Sequence, residues 1–186
     1  MNNEKMSSLD SSGAMVSGNS GQSEELSLRG FYTVICTDRD GNIEWVDTIK
    51  NLVTTVGKNN LLDNHLAGSA YTAAWYIGLI SSTSYTTGAA AGDTMSSHGG
   101  WAEDVNYSQS TRVAPSFAAA SSGSKATSAA AVFTMNATTT IKGVFLTSVS
   151  TKSGTTGTLF SAGLFSGGDQ AVTSSSTLNV TYTVSA

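Results

Sequence analysis

Thr177-Leu178-Asn179-Val180-Thr181-Tyr182-Thr183-Val184 is the stretch that decides the fold class. Its apolar residues take every second position and Thr or Asn the positions between, the pattern of a strand with one buried and one wet face. Upstream, Leu159 to Phe165, Ile141 to Val149 and Ala130 to Met135 carry further β-branched and aromatic runs, and Trp75 to Ile80 reads as a strongly apolar strand. Gly30 to Thr37 and Ile43 to Ile49 flank Asp38-Arg39-Asp40-Gly41-Asn42, whose Asp-Gly pair is a hairpin signal. About seven strands at this spacing predict an all-β, β-dominated domain: a β-sandwich of immunoglobulin-like or jelly-roll type. No fixed-period repeat points to a propeller or solenoid.

One helical pattern interrupts the strands. Leu52, Val53, Val56, Leu61, Leu62 and Leu66 recur at spacings near three and four, with Gly57 breaking the run. The expectation is one short helix from about Lys58 to His65, preceded by extended chain and stopped by Gly68. Residues 1–27 are rich in Ser, Gly and Asn, too poor in apolar side chains to fold alone, and read as an extended N-terminal arm. Residues 28–186 form the sandwich domain, with a long loop over 81–112. Loops of that length inside compact domains usually have a function.

Composition narrows the function classes. The chain has 186 residues, one cysteine and a net charge of −4. Cys36 has no second cysteine to pair with, and the first ten residues carry no apolar run of signal-peptide type, so synthesis in a reducing cytoplasm is expected. No apolar stretch reaches the roughly 20 residues of a membrane span, and no Lys/Arg cluster offers a nucleic-acid footprint. Neither membrane nor nucleic acid is an expected partner. Charged residues make up 12% of the chain, about half the usual share, and Ser with Thr about 30%. A surface with so few charges lacks a main safeguard against association, which predicts life in an assembly.

Catalytic chemistry has little material to work with. From Val113 to Ala186 the only charged residues are Lys125, Lys142, Lys152 and Asp169. Asp93, Ser96, Ser97, His98, Glu103 and Asp104 hold the residue types of a hydrolytic triad or a carboxylate-histidine metal site. No G-x-S-x-G elbow precedes the serines, however, and no second His or Cys stands at ligand spacing from His98. A polar loop hydrogen-bonded to backbone is the better reading, and His65 is read as a helix C-terminal residue. Phosphate-binding glycine motifs are absent, and Lys152-Ser153-Gly154-Thr155-Thr156-Gly157 reads as a hairpin turn. No catalytic, cofactor or metal residue is assigned.

Several segments together resemble a family of small virion proteins of tailed bacteriophages, the head decoration (cement) proteins, also labelled tail-fibre-like. The residues are Asn51-Leu52-Val53 with Gly57, Trp75-Tyr76-Ile77-Gly78-Leu79, Asp93-Thr94-Met95 with His98 and Gly100-Trp101, Ile141-Lys142-Gly143-Val144-Phe145-Leu146, and Leu178-Asn179-Val180-Thr181-Tyr182. The resemblance implies a non-enzymatic component of the capsid exterior without cofactors. Its expected partners are the major capsid protein and copies of itself, as dimer or trimer. A tail or fibre-attachment component is the nearest alternative; a glycan-binding module and a hydrolase centred on His98 belong to other classes. The expected partner-binding residues are Leu9, Met15, Val16 and Leu26 on the arm, with Trp101 and Tyr107 in the long loop.

Overall fold

The computed structural model describes residues 27–66 and 74–186. Residues 1–26 of the arm, with Leu9, Met15, Val16 and Leu26, and the expected helix stop at Gly68 lie outside the described residues. Among the described residues the chain runs β1 (Arg29–Thr37), β2 (Ile43–Lys50), β3 (Leu52–Val53), α1 (Thr55–Leu66), β4 (Tyr76–Ser81), β5 (Glu103–Asp104) and β6 (Ser116–Phe117). It continues through β7 (Ser124–Ala129), β8 (Ala131–Thr134), β9 (Thr139–Thr147), β10 (Leu159–Leu164), β11 (Gln170–Val172) and β12 (Thr177–Ser185). Two antiparallel sheets result, and the fold is a β-sandwich. Among these residues no helix is long and apolar enough to cross a membrane.

The first sheet has the order β2-β1-β12-β7-β6, with β8 also paired to β12. Its register sets Tyr32 opposite Tyr182, Val34 opposite Val180 and Cys36 opposite Leu178, all buried. These are the alternating positions of the sequence pattern, and they face the second sheet. Asp38 closes the β1–β2 hairpin, its Oδ1 accepting from the backbone N–H groups of Asp40 and Asn42 at 2.8 Å each. β7 was not anticipated, because Ser124–Ala129 has no apolar alternation. Backbone pairing to β12 holds it, and within β7 the Thr127 hydroxyl accepts from the N–H of Tyr182 at 3.2 Å.

The second sheet has the order β3-β10-β9-β4-β5, with β11 also on β9. Ile77, Leu79, Val144 and Leu146 join the main core between the sheets. The sheets are also linked by polar contacts: the Tyr32 hydroxyl lies 2.6 Å from Ser161 Oγ, and Asn51 Nδ2 donates to the Tyr182 hydroxyl at 2.9 Å. A second apolar cluster, Ile80, Met95, Trp101, Phe145, Leu159 and Ala162, sits on the opposite side of this sheet. β4 and β9 are therefore buried on both faces and read as continuous apolar runs. Gly78 lies directly opposite Phe145, and a Cβ there would meet the ring at 2.2 Å, so the absent side chain makes room for the aromatic.

The helix corrects one expectation. It begins at Thr55 rather than Lys58, and Gly57 lies inside it. Thr54 supplies the N-cap, its Oγ1 accepting from the N–H of Gly57 at 3.1 Å, while its own N–H donates to the Phe160 carbonyl at 3.0 Å. Gly57 is the point of contact with β10: a Cβ there would lie 2.5 Å from the Phe160 carbonyl oxygen. A residue that reads as a helix breaker is thus what lets the helix approach the sheet.

Candidate functional site

The long loop lies as a layer across the outer face of the second sheet. Met95 and Trp101 form its underside, packed on Ile80, Phe145, Leu159 and Ala162. Trp101 donates its indole N–H to Asp93 Oδ2 at 3.2 Å, and the same carboxylate oxygen accepts from the N–H of Ala90 at 3.0 Å. His98 stacks on Trp101 with ring centroids 4.0 Å apart, and its Nδ1 lies 3.1 Å from the Trp101 carbonyl oxygen.

A buried ion pair fastens this layer. The Arg112 guanidinium, 1% exposed, donates from Nε to Glu103 Oε1 at 3.0 Å and from Nη2 to Glu103 Oε2 at 2.9 Å. Its remaining contacts reach the carbonyls of Val149 at 2.9 Å and Gly154 at 3.0 Å, and the guanidinium carbon lies 5.2 Å from the Phe145 ring centre. Ser153 donates its N–H to Glu103 Oε2 at 2.6 Å. Lys152 adds a second tie from the β9–β10 turn, donating to the carbonyls of Tyr107 at 2.7 Å and Val105 at 3.2 Å. Burial lowers the Lys152 pKa and pushes the Tyr107 phenol up. The glycine-containing turn read from Lys152 to Gly157 is present and doubles as a clamp on the loop.

The residue types of a triad are held apart in separate roles. Asp93 and His98 support Trp101, Ser96 and Ser97 bond to Thr94, and Glu103 belongs to Arg112. Asp104 accepts from the N–H of Asn106 at 2.9 Å and from Thr139 at 2.8 Å. Among the described residues no group of three or more His, Cys, Asp or Glu side chains is arranged to hold a metal ion. Trp101 and Tyr107 are the loop aromatics considered for partner contact, with capping of the sandwich core the preferred reading for Trp101. Within this chain both are buried, 5% and 1% exposed, the first under the loop and the second packed edge-on against Phe133 at 5.0 Å. Their contribution to any contact runs through the surface they shape.

No family model and no curated protein matches this chain.

Among the described residues, three surface features bear on function. A cleft of about 220 Å³ opens beside the loop layer between His98, Trp101, Glu103, Arg112 and Ser153. A larger cavity of about 700 Å³ lies at the end of the sandwich beside α1, lined by Leu61, Trp75, Phe117, Lys125, Phe160 and Tyr182 among others. The third feature is the outer face of the first sheet, where Phe31, Val46 and Val132 are 42%, 54% and 40% exposed. The sequence carried a signal for that face. In Phe31-Tyr32-Thr33-Val34-Ile35-Cys36 apolar residues occupy both alternating sets, so both faces of β1 carry apolar surface. Arg112 gave no comparable signal, since its partner Glu103 is identified only by the course of the loop.

Proposed function

We propose that this chain is a bacteriophage structural protein, a capsid decoration or cement protein that binds the outside of the major capsid shell and strengthens contacts between capsomers. The observation that carries the reading is a sandwich whose long loop is fastened flat across one sheet by the Arg112–Glu103 pair, while the opposite sheet presents an apolar, Thr-rich face. Such a body suits persistent contact with large neighbours, because its surface is preorganised and little ordering entropy opposes binding. The family resemblance and the low charge content support the same reading. The mechanism is linkage: a ligand that binds the assembled shell and not its separate subunits stabilises the shell by mass action.

The test adds the purified chain to shells that lack it. Electron microscopy is expected to show symmetric occupancy of the shell exterior, and the shells are expected to withstand higher temperature. Empty shell positions at saturating protein reject the reading, and density at the tail assigns the chain to tail or fibre attachment. A second reading, a glycan-binding module, draws on the cavity beside α1, where the Trp75 ring supplies an aromatic face of the kind that sugars contact. Oligosaccharide binding that disappears in Trp75→Ala would favour it.

A further inference from the structure

We infer that the outer face of the first sheet is the contact between two copies of this chain, packed face to face about a two-fold axis with their strands antiparallel. The inference deepens the self-association element of the reading above by naming the face and its geometry.

The face is built from alternate positions of four adjacent strand columns. Val46, Ile35, Asn179 and Val132 form one row across it, Thr48, Thr33 and Thr181 the next, and Lys50, Phe31, Thr183 and Ala126 a third. At about 4.8 Å between strands and 3.4 Å per residue, the three rows measure roughly 20 by 20 Å, and the full length of the nine-residue strands β1 and β12 extends the plate to roughly 20 by 30 Å, or about 600 Å² before side-chain relief. That is of the order of the roughly 800 Å² per partner in a standard protein interface. The three rows hold one charged side chain, Lys50, so the centre of the plate can be desolvated without stranding an ion.

Charge at the two ends sets the orientation. Arg29 and Lys50 stand at the end where β1 begins, and the Asp38–Asn42 turn, with half-buried Asp38 and exposed Arg39 and Asp40 and a net negative charge, stands at the end where β1 finishes. Parallel stacking would put cations on cations. Antiparallel stacking puts Arg29 and Lys50 of one copy near Asp38 and Asp40 of the other, twice over, as a self-complementary two-fold contact requires. Face-to-face sheets keep their strands within about 30° of each other, so the ends meet in this way.

The experiment is sedimentation equilibrium of the full chain without shells, at micromolar concentrations. A dimer is expected. Thr181→Lys, at an exposed position near the centre of the plate, is expected to weaken it at least about a hundredfold, because two ammonium groups would meet across the axis. Val46→Lys, at another exposed position nearer the edge, serves as a second variant, and the thermal unfolding of both is recorded to confirm the fold. Lys50→Asp and Asp40→Lys are each expected to weaken the dimer, and the double variant K50D/D40K to restore it. A full chain that stays monomeric, or an oligomer unchanged by both lysine substitutions, overturns the inference; lack of rescue in the double variant overturns the antiparallel arrangement. If the monomer resists surface footprinting at Phe31 and Val46, the face is covered by another part of the same chain, which also overturns it. Because no shell is present, failure here leaves shell binding standing, and a dimer that fails to bind shells leaves this contact standing.

Discussion

The two sheets treat their outer faces in opposite ways. On the second sheet, Ile80, Phe145 and Leu159 point outward and are roofed by Met95 and Trp101. On the first, Phe31, Val46 and Val132 also point outward, and the described residues leave them partly bare. A covered face contributes to stability within the chain, whereas a bare one offers its burial to whatever docks there. Equivalent substitutions on the two outer faces should therefore read out in different experiments, unfolding for one and association for the other.

The sharpest way to break the covered side is Arg112→Met. It leaves the Glu103 carboxylate buried without its partner, and losing one member of a buried pair costs about 3–5 kcal/mol. Denaturant unfolding is expected to show a loss of that size, with Trp101 fluorescence shifting as the loop lifts. The double variant R112M/E103L should recover part of the loss, since it removes both charges. Gly78→Ala comes next: its Cβ would press on the Phe145 ring, and overpacking of this kind costs about 1–3 kcal/mol. Phe145→Leu in the same chain should relieve the clash, and thermal unfolding of the pair of variants measures both effects.

Alkaline pH probes the interior between the faces. Burial, with a hydrogen bond to Glu44, pushes the Cys36 thiol from about 9 up to about 12, and burial takes the Tyr182 phenol from about 10 up to about 12. Below pH 9 the thiol is protonated whether the chain is folded or unfolded, and its contribution is intact. From there upward the unfolded thiol ionises first, so stability falls as pH rises toward 12. Urea titrations at pH 8, 10 and 11 are expected to show that decline, shallower in Cys36→Ala. The smallest effect on folding belongs to the bare side: Val132→Ala should change unfolding by no more than about 0.5 kcal/mol. Removing residues 1–27 is likewise expected to leave the melting temperature nearly unchanged while weakening incorporation into the particle, measured as occupancy on shells.

Strand by strand, the first sheet was the more legible in sequence. One-sided burial imposes strict alternation along β12, and the Asp-Gly turn between β1 and β2 has a local cause in the Asp38 hydrogen bonds. β7 and β11 were hidden because their pairing partners, not their side chains, hold them in place. The start of α1 was misread for a related reason: Gly57 looks like a breaker until the Phe160 backbone is placed against it. At the loop layer, the residue types around His98 allowed acid-base chemistry, and the absence of a nucleophile elbow or a second ligand favoured a polar hydrogen-bonded loop instead. Assigning Glu103 to Arg112 and His98 to Trp101 depends on tertiary contacts that no spacing rule encodes.

β12 pairs with β1, β7 and β8, and Arg29 lies opposite Ser185 across the sheet. The first strand of the described domain therefore waits on the last. While the chain is still leaving the ribosome, β1 and β2 can form a hairpin, but the strand that joins them to β7 and β8 is the last of these to emerge. Pairings between such distant segments make folding slow and keep strand edges open in the interval. A cell producing many copies at once would thus hold a pool of half-finished first sheets. In that pool the β1–β2 hairpin carries Phe31, Ile35 and Val46 on one side and Tyr32, Val34 and Ile49 on the other, so apolar surface stays open on both sides until β12 closes the sheet.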